Sequence, residues 1–282
     1  MNEPSPRGGA VARRGASLLR EAAEGVLFYA LVLFFAVMCL LWSLPAGLLH
    51  RLLPASVGLP LGQWGISRGF RLFLAVMRAT GVLRCDLSAL DALRGERGLV
   101  IAANHPSMLD AVLIASRLPR VVCITKASLW DNPLLGGGVR LAGYVRNDAT
   151  LRMIRHAAEA VRSGRQLLIF PEGTRSPPHP LDAGEGAGPP MGDFSRSFAV
   201  MAQMAGAPVQ TVVIESETPY LRKGWSVFRK PPFPLRVHVR LGRRFPPEGS
   251  PQALSEKVER HLREALAAAS PAAPGAPRKD VA

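Results

Sequence analysis

His105 and Asp110 stand five residues apart in the run Asn104-His105-Pro106-Ser107-Met108-Leu109-Asp110, and together they could move a proton. An imidazole whose Nδ1–H donates to a carboxylate is held in one tautomer, which makes its Nε2 a better base. Pro106 turns the chain between them, so a histidine ending a strand can meet a carboxylate in the first turn of the next helix. Such a base can take the proton of a substrate hydroxyl as it attacks an activated acyl carbonyl, while the carboxylate stabilises the imidazolium that forms. No protein nucleophile is then required. The sequence agrees in having no cysteine beside a histidine.

A second run, Phe170-Pro171-Glu172-Gly173-Thr174-Arg175-Ser176, has the makings of an anion cradle. Gly173 permits a tight turn, amides near Thr174 can point at an anion, and Arg175 carries a forked donor set matched to phosphate oxygens. Glu172 would repel phosphate, so its expected task is to orient Arg175 or a substrate hydroxyl.

Both runs need a scaffold that ends strands beside each other. From Gly98 onward short apolar runs alternate with helical stretches, the pattern of an α/β layer fold with a mostly parallel central sheet flanked by helices. Strands are expected at 98–103, 120–125, 166–170, 208–214 and 235–241. Helices are expected at 107–118, 151–162 and 198–205, with Leu109, Val112, Leu113 and Ala115 inward in the first and Leu151, Ile154, Ala158 and Val161 inward in the second. Gly164 closes the second as a C-cap. Each chemical run thus begins where a buried strand ends, the place where open α/β sheets bind ligands.

Ahead of this domain, Val26 to Leu49 reads VLFYALVLFFAVMCLLWSLPAGLL, without a charge. At about 1.5 Å per residue it is long enough for a hydrocarbon layer of roughly 30 Å. It is too long for a signal peptide, so it is expected to remain as a membrane-embedded helical segment. Arginines flank it on both sides, which gives the positive-inside rule little asymmetry. Pro45, Pro54 and Pro60 suit a bent or re-entrant helix pair as well as a simple span, and Arg68, Arg71 and Arg78 suggest an amphipathic helix at a headgroup surface. The expected organisation is a basic segment at 1–24, membrane-associated helices at 25–84, the catalytic domain at 85–269 and a disordered Pro/Ala-rich tail at 270–282. The Gly/Pro-rich stretch 177–192 suggests a mobile loop over the site.

Composition narrows the partners. A net charge of +14 demands something anionic, and Arg222 to Arg244 carries eight cations with no acid. Trp225 and Phe228 interleave that run, but no nucleic-acid module is visible, so an anionic membrane surface is expected rather than nucleic acid. Cys39, Cys85 and Cys123 are odd in number and far apart, which supports neither a disulfide framework nor a metal site and fits a reducing, cytosol-facing compartment. His50 is expected at the interface, His156 and His261 on helix faces, His179 in the loop and His238 in a strand.

Taken in order, the blocks resemble those of the glycerolipid acyltransferases, over roughly Leu99 to Ile214. His105 and Asp110 match the family's catalytic His-x4-Asp pair. The stretch from Lys126-Ala127-Ser128-Leu129 through Asn132-Pro133 and Gly137 to Gly143-Tyr144-Val145-Arg146 is similar to its second block, whose terminal arginine helps to bind the acceptor's phosphate. Glu172-Gly173-Thr174-Arg175 matches the third, implicated in acceptor binding, and Ala207 to Val213 is similar to the fourth. The chain departs at Phe194-Ser195-Arg196-Ser197, where members often carry Phe-Lys-x-Gly. Arg196 keeps the charge in a different geometry. Gln210 and Thr211 are polar where the family is usually apolar.

The resemblance implies transfer of a fatty acyl group from acyl-CoA or acyl-carrier protein to the hydroxyl of a lysophospholipid, with no further cofactor. The acceptor it implies first is 1-acyl-sn-glycerol-3-phosphate. A lyso-aminolipid such as lyso-ornithine lipid, or a specialised hydroxylated acyl product, is the alternative that the altered Phe194 to Ser197 block leaves open, and a non-catalytic membrane-surface protein is the remaining one. The expected location is the inner or plasma membrane with the site facing the cytoplasm. Asn104, Lys126 and Arg196 join His105, Asp110, Arg146 and residues 172–175 as candidate site residues; oligomeric state is not legible.

Overall fold

A computed structural model describes residues 6–148, 150–177, 191–218 and 220–269. The expectations for a mobile loop at 177–192, apart from its ends, for His179 and for the tail from Ser270 lie outside the described residues. The domain is built on a seven-stranded sheet in the order β1-β7-β6-β2-β5-β3-β4. The strands are β1 (Leu83–Asp86), β2 (Leu99–Ala103), β3 (Val121–Lys126), β4 (Val145–Asn147), β5 (Gln166–Ile169), β6 (Val209–Ser216) and β7 (Leu235–Phe245). Every pairing is parallel except β6 with β7, so β1 and β7 run against the other five.

The middle of the sheet is dry on both faces. All of β2 and β5 is buried, which is why those strands read as unbroken apolar runs. Flanking helices are α3 (Asp110–Arg117), α4 (Ala127–Trp130), α5 (Gly136–Leu141), α6 (Leu151–Arg162), α7 (Ser197–Ala205) and α8 (Pro251–Ala269). Helix α6 has its expected bounds, with Thr150 Oγ accepting from the Met153 amide at 3.4 Å as an N-cap. Leu151, expected inward, is exposed, because it sits in the first turn beyond the edge of the sheet; Ala158 and Val161 are fully buried.

Two long helices precede the sheet, α1 (Pro6–Leu52) and α2 (Ala55–Ala79). Over Ser17–Leu52 α1 is long and apolar enough to cross a membrane. Its faces differ. Phe28, Leu31, Ser43 and Ala46 are buried against the domain, whereas Val26, Tyr29, Leu33, Val37, Leu41, Leu44, Leu48 and Leu52 form an exposed stripe at helical spacing. The packed face touches the domain at both ends. Phe28 meets the Tyr220 ring at 6.1 Å and Tyr29 Oη donates to the Phe228 carbonyl at 3.2 Å; further along, Ser43 Oγ donates to the Leu135 carbonyl at 3.0 Å. Helix and domain therefore run together for about 28 Å between residues 28 and 47.

Glycine makes the far junction possible. A Cβ on Gly137 would lie 2.0 Å from the Ser43 carbonyl oxygen and 2.6 Å from the Gly47 nitrogen, and one on Gly62 only 2.4 Å from the Ala142 nitrogen. Two of the three α2 arginines expected at headgroups fasten the helix to the domain instead: Arg71 Nε donates to the Ser116 carbonyl at 2.7 Å and Arg78 Nη2 to the Cys85 carbonyl at 2.9 Å. Arg68 is exposed and lies over the Trp64 ring at 5.9 Å.

Candidate active site

The C-terminal ends of the parallel strands lie along one edge, and the sequence candidates are strung along it. His105 follows β2, Glu172 to Arg175 follow β5, Lys126 ends β3 and Arg146 lies in β4. Adjacent strands are about 4.8 Å apart, so β4 stands roughly 14 Å from β2. His105 and the 172–175 turn are neighbours; Arg146 is not.

His105 Nδ1 lies 2.9 Å from Asp110 Oδ2, and the same oxygen accepts from the Ser107 amide at 2.7 Å. Ser107 Oγ in turn accepts from the Leu109 amide at 3.2 Å. This is a capping box with aspartate in the acid position: the carboxylate that completes the first turn of α3 also holds the imidazole. Asp110 is 1 % exposed against 16 % for His105, so the pair is open only through the histidine. Burial pushes the Asp110 carboxyl above its usual range, opposed by the bonds from His105 and the Ser107 amide. The imidazole is stacked on Phe170, with centroids 3.8 Å apart and planes 13° from parallel.

Glu172 is a bracket for this loop and does not contact Arg175 as expected. Its Oε1 accepts from the His105 amide at 3.2 Å and from Ser176 Oγ at 2.6 Å, and its Oε2 accepts from the Gly192 amide at 2.8 Å. The Ser176 amide donates back to the His105 carbonyl at 2.8 Å, so both backbone polar groups of His105 are held by the second run. Gly173 sits at φ 65°, and its amide closes the turn onto the Phe170 carbonyl at 2.9 Å. Thr174 is exposed. Arg175 donates through Nη1 to the carbonyls of Leu221 and Arg222, both at 2.8 Å, which leaves Nε and Nη2 without a protein acceptor among the described residues.

The remaining candidates separate. Asn104 Nδ2 donates to the Ile214 carbonyl and its Oδ1 accepts from the Ile214 amide, both at 2.8 Å, so it staples β2 to β6. Arg146 pairs with Asp131 through Nη2 at 2.6 Å, which holds the Asp131 carboxyl below its usual range. It borders a cavity of about 700 Å³ that Trp130, Tyr144, Met153 and His156 also line and His105 does not. Lys126 and Arg196 are exposed; Arg196 is placed near the cradle because the adjacent Ser195 amide donates to the Pro171 carbonyl at 2.8 Å. Among the described residues no group of three or more His, Cys, Asp or Glu is placed to hold a metal.

Comparison with known proteins decides the family. Residues 84–215 match the acyltransferase family, over the same strands and turns that carry this geometry. Over these residues the chain is an acyltransferase-family domain, and the relatives it matches are glycerolipid acyltransferases. It is similar to the 1-acyl-sn-glycerol-3-phosphate acyltransferase of Pseudomonas aeruginosa, with 24 % identity over 89 % of this chain and 93 % of that one. A shorter likeness, 30 % identical over 27 % of this chain and 35 % of the other, links it to the enzyme of the same name from Helicobacter pylori. In structure it is similar to the 1-acyl-sn-glycerophosphate (LPA) acyltransferase PlsC of Thermotoga maritima, with a TM-score of 0.61 and 22 % identity over 88 % of this chain and 95 % of that one. An O-acyltransferase of this family takes an acyl donor and a lipid acceptor.

Sequence reasoning missed Phe170, Ser107, Ser176 and Gly192. Ser107 had a signal, the Ser-x-x-Asp spacing of a capping box. The others had none.

Proposed function

We propose that this acyltransferase moves a fatty acyl group from the thioester of acyl-CoA or acyl-carrier protein to the free hydroxyl of 1-acyl-sn-glycerol-3-phosphate. The observation that carries the reading is the 2.9 Å contact of His105 Nδ1 with buried Asp110, which directs Nε2 to act as the base. His105 Nε2 takes the hydroxyl proton as the oxygen attacks the thioester carbonyl. The new C–O bond forms, the C–S bond breaks, and the imidazolium returns its proton to the departing thiolate. Arg175, with Nε and Nη2 available beside His105, holds the acceptor's phosphate. Arg146, tied to Asp131 and three strands away, is not assigned to that headgroup.

The acceptor is a membrane lipid, and α1 carries the enzyme to it. Because the domain packs along α1 for about 28 Å, a helix normal to the bilayer would drag charged domain surface into hydrocarbon. We therefore place α1 along the interface, with its stripe of Val26, Leu33, Val37, Leu41, Leu44 and Leu48 toward the acyl chains, on the cytoplasmic face of the inner or plasma membrane.

His105→Ala tests the mechanism: transfer should fall by at least about a thousandfold with the melting temperature within a few degrees of the parent. Full activity in that variant sinks it. The altered Phe194 to Ser197 block and the pairing of Arg146 with Asp131 leave one second reading, a zwitterionic lyso-aminolipid acceptor. Arg175→Ala separates the two. Loss confined to the phosphate-bearing acceptor supports the first reading, and equal loss with both acceptors reports only the loop that Arg175 holds.

A further inference from the structure

The segment 221–230, between β6 and β7, carries side chains to which the proposed acyl transfer assigns no role. Its base is tied to the site: the carbonyls of Leu221 and Arg222 accept from Arg175, and the Leu221 carbonyl also accepts from the Met108 amide at 3.3 Å. Leu221 is the one described non-glycine residue with positive φ, at 53°, a conformation that keeps the following residues turned out from the sheet. The outer part is folded on Trp225. The indole Nε1 donates to the Arg229 carbonyl at 2.9 Å, and the guanidinium groups of Arg229 and Arg222 lie 4.5 and 5.8 Å from the ring centroid. The segment is ordered by its own contacts, yet Phe228 is 68 % exposed and Val227 is exposed beside it.

What surrounds those two apolar side chains identifies their partner. Phe228 is joined through its carbonyl to Tyr29 of α1, and Lys230 bridges to Glu24 of α1 at 2.7 Å. Val227 and Phe228 thus extend the exposed apolar stripe of α1 at its Val26 and Tyr29 end. Around them stand Arg222, Lys223 and Arg229, with no acidic residue between Glu217 and Glu248. Apolar and aromatic tips flanked by cations, flush with an apolar helix face, match the layering of an anionic bilayer surface, where hydrocarbon lies under negatively charged headgroups. An acidic soluble protein would meet the cations and leave Phe228 and Val227 in water.

We infer that 221–230 is a second membrane-docking element, in which Phe228 and Val227 enter the bilayer while Arg222, Lys223 and Arg229 bind anionic phospholipid headgroups, seating the mouth of the His105 site on the lipid. Two weak anchors acting together give the stable attachment that one gives poorly. The inference rests on the membrane association proposed above but not on the identity of the acyl acceptor.

Amide hydrogen exchange on the full chain tests it without substrate, so its failure is visible apart from any failure of acyl transfer. The protein is moved from detergent into vesicles of phosphatidylcholine alone or with three parts in ten phosphatidylglycerol, and exchange is read at 222–229. Protection on the anionic vesicles only is the expected result. A Lys223→Gln/Arg229→Gln double variant should lose about twenty- to thirtyfold of that protection, roughly fivefold for each cation at an anionic surface, and keep its transfer rate in detergent within about twofold. Equal protection on both vesicles overturns headgroup recognition. Protection by an acyl-carrier protein with none from vesicles overturns the inference and gives the surface to the donor.

Discussion

Replacing Glu172 separates a bracket from a substrate contact. Its two oxygens accept from three donors, the His105 amide, Ser176 Oγ and the Gly192 amide, and the residue is 9 % exposed. In Glu172→Gln, whichever way the new amide is turned, its NH2 faces a backbone N–H, either that of Gly192 or that of His105. A buried N–H without an acceptor costs about 1–3 kcal/mol, and the bonds that survive lose their charge assistance, so a loss of roughly 2–3 kcal/mol in stability is expected. If about half of that falls on the placement of His105, kcat should drop about tenfold. Glu172→Ala strands all three donors and should cost about a hundredfold or more. The assay follows free thiol released from acyl-CoA with 1-acylglycerol-3-phosphate in mixed micelles, alongside a melting curve. A bracket lowers kcat and leaves the acceptor KM within about twofold, because no bond to substrate is removed. A KM raised tenfold with kcat retained would refute the reasoning and return Glu172 to the acceptor site.

Three further outcomes follow from the geometry. Asp110→Asn removes a buried charge: a carboxyl raised in the folded chain binds a proton where the unfolded chain has released it, so its contribution to stability declines as pH rises from about 3.9 through the raised value. The variant should lose that slope, melt at neutral pH no lower than the parent, and transfer about a thousandfold more slowly or worse; melting curves from pH 4 to 8 in detergent check the first part and rates the second. Gly137→Val places side-chain carbon on the Ser43 carbonyl and Gly47, so α1 should detach at that end, with a cost of at least about 3 kcal/mol and new proteolysis near Pro54. Asn104→Ala frees both polar groups of Ile214 and should cost about 2–4 kcal/mol, read in chemical denaturation, with the acceptor KM unchanged.

The parts of this fold that were legible are those whose burial is one-sided or complete. Strands β2 and β5 show as unbroken apolar runs, and α6 shows by its periodicity and Gly164. Helix α3 begins three residues later than expected because Ser107 to Leu109 form the turn that Asp110 caps. Strands β1 and β4 are short edge pieces with polar residues, and pairing to a distant strand, not local pattern, makes them strands. Helix α8 was legible and passed over: Leu254, Val258, Leu262 and Leu266 are buried at i,i+4 spacing behind Pro251. The contact of His105 with Asp110 was readable because one turn of chain joins them. The bracket made by Glu172 was not, since two of its three partners lie 67 residues before it and 20 after, and neither Arg146's tie to Asp131 nor Asn104's staple to β6 has a local signature.

The ring stacked on His105 fixes the direction in which the imidazole can act. Phe170 covers one face of it at 3.8 Å with the planes 13° from parallel. Asp110 holds the same imidazole at its Nδ1 edge, 2.9 Å away, so the ring is gripped on one face and at one edge. A flip of the imidazole would cost both contacts at once, so Nε2 keeps a single heading while Nδ1 stays with Asp110.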